Sequence, residues 1–296
     1  MAASSQTTNF VHNSAERASI PALVRQGFRE AYSRRQLIRW LVQADVKKKG
    51  SDTVLGNVWW VLDPLLQMLV YVVLVSFIFA RKQEDFPLFV FAAILPWKWF
   101  TTSVGDSISS VVSQGPLIRQ LQFPKVVLPL SAAFAGVVNF SFGMVPLMSL
   151  LLLFYRDRLS PLLLLIPLIA VVQLVFTLAF SLALSAANVF LRDIGNISRH
   201  ALRLWFYLSP GIYAIENLEQ SAGLKVHPTI LIILKANPFA ILFTAYRSVI
   251  YGTADGGRPI PPDFAGLGIL FVVSIVLVLG GMAVFKRLEP SFAKVL

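Results

Sequence analysis

Arg34-Arg35-Gln36-Leu37-Ile38-Arg39-Trp40-Leu41-Val42-Gln43-Ala44-Asp45-Val46-Lys47-Lys48-Lys49-Gly50, followed by Leu55-Gly56-Asn57-Val58-Trp59-Trp60 and an apolar run to Phe79, decides how this chain is read. Wound as a helix, the first stretch puts Arg35, Gln36, Arg39, Gln43 and Lys47 on one face and Leu37, Ile38, Trp40, Leu41 and Ala44 on the other. That division predicts an amphipathic helix lying in a membrane interface. Lys47 to Lys49 fall in its last turn with Gly50 beyond, where cations and glycine favour a helix C-terminus. A basic cluster directly before an apolar run also acts as a positive-inside signal, which by itself needs no partner.

Composition outside this stretch agrees. Of 296 residues, 56% are hydrophobic and only 14% charged, too apolar for a fold with a wet surface, so the chain is predicted to be an all-helical, polytopic membrane protein. The first twenty residues are polar and carry no apolar core after a basic start, so no cleaved signal peptide is expected and the N-terminus is placed in the cytoplasm. The absence of cysteine excludes disulfide and thiolate chemistry. A net charge of +11 concentrates beside apolar runs, where anionic lipids and topology account for it better than nucleic acid.

Crossing the hydrocarbon takes about 20 mostly apolar residues, and suitable runs lie near Val58–Phe79, Phe86–Val104, Val126–Tyr155, Leu162–Phe190 and Phe264–Phe285, with a shorter one at His200–Ile215. The connectors alternate. Arg17, Arg25, Arg29, Arg34, Arg35, Arg39 and Lys47–Lys49 precede the first run, Arg119 and Lys125 follow the second, Arg192, Arg199 and Arg203 follow the fourth, and Lys286, Arg287 and Lys294 close the chain. Arg81 and Lys82 are balanced by Glu84 and Asp85, and Arg156-Asp157-Arg158 lies on the same side as these. Six spans with both ends in the cytoplasm satisfy this pattern, with residues 1–50 as a cytoplasmic segment and 51–296 as the membrane domain. Between the fifth and sixth runs, Asn237-Pro238 divides two apolar pieces that are each too short to cross. The expectation there is a re-entrant helical hairpin dipping in from the outer side, the alternative being a seventh span.

The connector Gln114-Gly115-Pro116-Leu117-Ile118-Arg119-Gln120-Leu121-Gln122-Phe123-Pro124-Lys125 is a helix-sized piece bounded by prolines. Together with Leu55-Gly56-Asn57-Val58-Trp59, Leu62-Asp63-Pro64-Leu65, Phe89-Val90-Phe91-Ala92-Ala93-Ile94-Leu95-Pro96-Trp97, Asn188-Val189-Phe190-Leu191-Arg192-Asp193, Leu208-Ser209-Pro210 and Lys286-Arg287-Leu288-Glu289-Pro290, it resembles the permease subunits of type-2 ABC exporters that move lipid-linked polysaccharides such as O-antigen, capsule and teichoic acid. The resemblance covers most of the chain beyond about Ala31, and Asp63 is a charged departure from it. It implies a homodimer bound to two copies of a cytoplasmic ATPase subunit. ATP and magnesium would sit on that subunit, because this chain has no Gly-x-x-x-x-Gly-Lys-Ser/Thr loop. It also implies a polyprenyl-pyrophosphate-linked glycan as cargo, in a bacterial inner membrane rich in anionic lipid. Arg35, Arg39, Trp40, Leu117, Arg119, Gln120, Phe123, Lys125, Arg192 and Asp193 are then expected to couple to the ATPase, and Asn237 and Pro238 to form a re-entrant gate. The rivals are a drug or small-lipid exporter of the same superfamily and a membrane-embedded enzyme, for which no intramembrane His/Asp/Glu cluster is evident.

Aromatic residues cluster near the predicted span ends, where most are expected to form interfacial belts. Trp97, Trp99, Phe206 and Tyr213 are expected instead to line a conduit, since flat rings stack on sugars without demanding one hydrogen-bond pattern. Asp63, Lys98 and Asp106 fall within or beside apolar runs, where a charge points to function, although Lys98 can snorkel outward and Asp63 can sit at the interface. The small residues Ala179, Ala183 and Ala187, with Ser181 and Ser185 beside them, fit a close helix contact either within the chain or between two copies.

Overall fold

The computed structural model describes residues 19–51, 55–75, 85–213, 228–253 and 257–296, and every regular element among them is helical. Among the described residues four helical stretches are long and apolar enough to span a membrane: Phe86–Ser113, Val127–Phe154, Pro161–Phe190 and Phe264–Val295. Their helices are α4 (Phe86–Ser113), α6 (Val127–Phe154), α7 (Ile166–Phe190) and α11 (Phe264–Leu288). The predicted first run survives as the shorter α3 (Trp59–Val73), and residues 76–84 lie outside the described residues.

α4 is the core of the bundle. Of its apolar window, 78% is buried inside the protein, against 28–39% for the other three stretches, which leave their outer faces to lipid. It also continues past Val104, where the apolar run ends, because its polar last third is satisfied locally. Ser109, Ser110 and Ser113 donate back to carbonyls three or four residues earlier, at 2.7–3.4 Å.

Neighbours approach α4 and one another through small residues. At Gly136 of α6 a Cβ would stand 1.8 Å from Ser103 Oγ, and turning that hydroxyl away still leaves Ser103 Cβ at 3.1 Å and Trp99 Cδ1 at 3.0 Å. On α11, a Cβ at Gly281 would meet Ala179 O at 3.0 Å, Leu182 Cβ at 3.4 Å and Ala183 N at 3.6 Å. The small-residue stripe of α7 is therefore a contact within the chain. Gly136→Ala is expected to lower stability by about 1–3 kcal/mol through overpacking, whereas Gly280→Ala, where nothing stands within 4 Å, should be neutral or slightly stabilising. Thermal unfolding of the two detergent-solubilised variants tests this, and equal midpoints would show the α4–α6 contact to be loose.

α1 (Ile20–Ser33) begins with Pro21 in its first turn, where a missing N–H costs nothing, and packs on α11 at Gly27. α2 (Arg35–Ser51) follows at once and lies against α6. Its packed side is rotated from the predicted one: Ile38 is buried and Leu37 and Leu41 half-buried as expected, but Val42, Asp45, Val46 and Lys49 are half-buried with them, while Ala44 is exposed and Trp40 is 72% exposed. The polar members of this side neutralise each other. Lys49 Nζ lies 3.0 Å from Asp45 on its own helix and 2.6 Å from Asp106 on α4, so a wheel that scores each as solvent-seeking rotates the helix wrongly.

Both ends of the bundle are closed by buried ion pairs built from residues that the connector pattern treats as topology signals. Arg158 is buried, donating from Nε (2.9 Å) and Nη2 (2.6 Å) to the Asp85 carboxylate and from Nη1 to the carbonyls of Tyr251 (2.5 Å) and Gly257 (2.9 Å). At the other end Lys286 is held between Glu30, at 2.6 Å, and Glu289, whose carboxylate also accepts from the Lys125 N–H at 2.6 Å. The α5 helix (Gly115–Gln120) and the C-terminal α12 (Phe292–Val295) pack together at that end.

The short run His200–Ile215 is revised. Its helix, α8 (Ile194–Leu208), starts six residues earlier and stops at the Ser209-Pro210-Gly211 turn. Beyond it, α9 (Pro228–Ala236) and α10 (Pro238–Ile250) are separate helices divided at Asn237, which caps α10 by accepting from the Phe239 N–H at 3.0 Å.

Candidate functional site

α8 has three faces, and its position follows from them. Ser198, Leu202 and Phe206 are buried against the bundle, while Ile197, Leu204 and Leu208 point outward as an apolar stripe. Asn196, Arg199, Arg203 and Tyr207 follow one another on the third, at spacings of three or four residues that keep them in line, and Arg192 reaches the same cavity from the turn just before the helix. An asparagine fixes each end of the helix. Asn188, in the last turn of α7, donates to Ile108 O of α4 at 2.9 Å and accepts from the Gly195 N–H at 3.1 Å, so α8 must leave along α4. Asn237 accepts from Trp205 Nε1 at 3.1 Å and donates to Ser209 Oγ at 2.8 Å, joining the far end of α8 to the α9–α10 break. Arg247 of α10 completes that junction, donating to the carbonyls of Phe89, Pro210, Gly211 and Tyr213 with its guanidinium 3.6 Å from the Phe89 ring centroid.

The third face of α8 looks into a half-open cavity of about 630 Å³, walled by α3 through Gln67 and Tyr71 and by α4 through Trp97, Thr101, Gly105, Ile108 and Ser109. Three arginines and two asparagines line it, and no carboxylate does among the described residues. Arg192, Arg199 and Arg203 themselves have no carboxylate in ion-pair reach among the described residues, whereas Lys98 and Arg158 each have one and Lys49 and Lys286 each have two. Its floor is aromatic: Trp97 and Phe206 lie 5.3 Å apart between ring centroids, with Phe239 packed behind Trp97 at 4.7 Å. At Gly105 a Cβ would meet nothing within 4 Å, so the middle of the α4 wall is open space. The arrangement supplies guanidinium forks for an anion and apolar ring faces for a bulky neutral group beside it.

Of the four residues expected to line a conduit, Trp97 and Phe206 meet at this floor. They are buried in the protein, as is Trp99, and so are not belt residues. Trp99 turns to the other side of α4, stacks on Phe140 at 4.6 Å and borders a smaller pocket of about 160 Å³ beside Asp63, Lys98 and Lys49. Tyr213 is half-buried and its carbonyl accepts from Arg247, away from the cavity lining. The charges flagged within apolar runs are all paired: Lys98 with Asp63 between α4 and α3, and Asp106 with Lys49. Burial works to lower the Lys49 pKa, but Asp106 and Asp45 outweigh it and hold the ammonium above its ordinary range, so the tie between α2 and α4 stays charged at neutral pH.

The residues expected to couple to an ATPase gather at the α5 end. Leu117, Arg119 and Gln120 are exposed on α5, and Arg35, Arg39 and Trp40 are exposed on α2. Ile38 of α2 and Ile118 of α5 belong to one buried apolar cluster. Phe123 and Lys125 are half-buried, with Lys125 Nζ 5.9 Å from the Phe123 ring centroid. Arg192 and Asp193 are exposed at the α7–α8 junction, Arg192 at the cavity and Asp193 outside its lining. Arg199, Arg203, Asn188 and Arg247 were not singled out as site residues from the sequence. The stripe Arg192, Asn196, Arg199, Arg203 was the available signal for the first two, whereas Asn188 and Arg247 act on carbonyls 80 and 158 residues away and leave no local pattern.

Fold and site thus define a multi-pass, all-helical membrane protein built around a basic, aromatic-floored cavity. No family model matches the chain. The O-antigen export system permease protein RfbA of Myxococcus xanthus is 33% identical over 266 residues, covering 90% of this chain and 97% of that protein. Two proteins of the same name from Klebsiella pneumoniae are each 26% identical, over 257 and 260 residues, covering 86% of this chain and 93% of theirs. The chain belongs to the family of O-antigen export system permeases.

Proposed function

We propose that this chain is the membrane-spanning permease subunit of an ABC exporter that moves a polyprenyl-pyrophosphate-linked polysaccharide out of the bacterial cytoplasm. The observation that carries this reading is the cavity between α3, α4 and α8, which combines guanidinium groups with an aromatic floor inside a member of this family. The chain homodimerises, and the half-open cavities of two copies face one another as the translocation path. The first run and α8 serve as the short first and fifth of six spans, residues 1–50 and the C-terminus lie in the cytoplasm, and α9 and α10 form a re-entrant hairpin gated at Asn237 and Pro238.

Two copies of a separate ATPase subunit, carrying ATP and magnesium, dock on α5 and the exposed side of α2. Lys49 ties α2 to α4, so movement of the docked subunit reaches the cavity wall through charged and packed contacts. Charge reversal at Arg119 together with Lys125, or Trp40→Pro within α2, is expected to weaken co-purification with the ATPase several-fold and to cut export, while the permease still inserts. Unchanged co-purification and unchanged transport-linked ATPase activity in both variants would return these segments to simple topology signals.

A further inference from the structure

We infer that Asn196, Arg199 and Arg203 on α8, with Arg192 in the turn just before it, form the binding site for the diphosphate linkage of the cargo, with the first sugar held against Trp97 and Phe206. The assignment rests on the exporter reading and makes it specific. It moves anion recognition away from the basic clusters that dominate the sequence. Lys49 is committed to Asp45 and Asp106, Arg35 is within cation–π distance of Tyr32, at 4.8 Å from its ring centroid, and Arg39 is an exposed side chain outside either cavity lining.

Geometry favours a diphosphate over a single charge. Arg199 and Arg203 stand on successive turns, about 6 Å apart along the helix axis, so their forks can take adjacent phosphoryl groups bidentately. Arg192 lines the same cavity from the turn just before α8. No carboxylate competes for the guanidinium groups among the residues lining the cavity. The same α8 stripe runs on to Tyr207, while Phe206 and Trp97 form the apolar floor beside it. A ligand with a charged centre and an apolar-faced sugar beside it matches both ends of the site. A volume of about 630 Å³ lies within the range of pockets that enclose small organic ligands, about 300–1,000 Å³.

The test uses the full-length protein in phosphatidylcholine nanodiscs, without the ATPase, and titrates it with farnesyl diphosphate, with farnesol as the phosphate-free control. Binding is followed by calorimetry. Farnesyl diphosphate should bind and farnesol should not, each of Arg199→Gln and Arg203→Gln should weaken binding about tenfold, and the triple Arg192→Gln, Arg199→Gln, Arg203→Gln variant should abolish it, with unfolding temperatures preserved. The paired variant Arg35→Gln, Arg39→Gln should bind as wild type. Doping the nanodiscs with about 20 mol% phosphatidylglycerol separates a diphosphate site from a general headgroup site of the kind basic clusters make; it should leave the affinity unchanged. Wild-type affinity in the triple variant, loss confined to the Arg35 and Arg39 variant, or displacement by phosphatidylglycerol would each overturn the assignment. Because no ATP or export is involved, failed binding alongside intact ATP-driven export would refute only this site, and intact binding without export would refute only the exporter reading.

Discussion

Arg247→Met should be among the most damaging single substitutions in this protein. The guanidinium is buried, and it is the donor to four carbonyls that belong to two separate pieces of chain: Phe89 in the first turn of α4, and Pro210, Gly211 and Tyr213 in the segment that follows α8. Methionine keeps most of the stem's packing but leaves those carbonyls without their donor, at about 1–3 kcal/mol for each buried group that finds no water. A loss of about 3–5 kcal/mol is therefore expected. Arg247→Lys should recover little, because a single ammonium cannot span carbonyls that the planar fork reaches from separate nitrogens. Thermal unfolding of the purified variants reads the effect directly. Wild-type midpoints in both would mean that the α8 turn is held by Asn237 and packing alone.

Loosening this junction should also reach the cavity. The turn that Arg247 clamps follows directly on Phe206, half of the aromatic floor, and Trp205 at the same level donates to Asn237. The α9–α10 break and the end of α8 are thus one mechanical unit, so a gate at Asn237 and a conduit floor at Phe206 would move together. The latch at Arg158, which joins the start of α4 to the segment after α10, braces the other end of α10.

How far this was legible in the sequence depended on whether the decisive interaction was local. The long apolar runs at Phe86, Val126, Leu162 and Phe264 became helices long and apolar enough to span, because length and hydropathy alone decide such elements. The Asn237-Pro238 break was equally readable, since proline cannot continue a helix and asparagine caps the next one. Local reasoning placed Leu37, Ile38 and Leu41 on the packed side of α2 but put Trp40 and Ala44 there too, because Asp45 and Lys49 count as solvent-seeking until Asp106 is seen beside them. It also treated Arg158 and Lys286 as topology signals, although their partners, 73 and 256 residues away, make them buried structural cations. Trp97 and Phe206 do meet at the cavity, but Trp99, only two residues further along α4, faces the opposite side, and Tyr213 contributes its backbone instead. Two positions along a helix rotate a side chain by about 200°, to the opposite side, and only packing against Phe140 reveals which side that is. The arginines of α8 were visible as charges; that their stripe faces a cavity without carboxylates follows from the placement of α8 by Asn188.

The central claim, that the cavity between α3, α4 and α8 is the path of the cargo, meets its most direct test at Gly105. Tryptophan there would project into open space within the cavity wall, while tryptophan at Gly280, where a Cβ likewise meets nothing within 4 Å, would project from the exposed face of α11. Both changes replace a helical glycine on an open surface, so both proteins should fold, each gaining slightly from the loss of glycine's backbone freedom. The measurement is ATP-driven transport of lipid-linked glycan in vesicles reconstituted with the ATPase subunit, normalised to correctly inserted permease. Gly105→Trp should reduce transport by at least about tenfold, as for any barrier raised by more than about 1.4 kcal/mol, while Gly280→Trp transports at the wild-type rate. Wild-type transport by inserted Gly105→Trp protein would contradict the account and place the path elsewhere in the assembly.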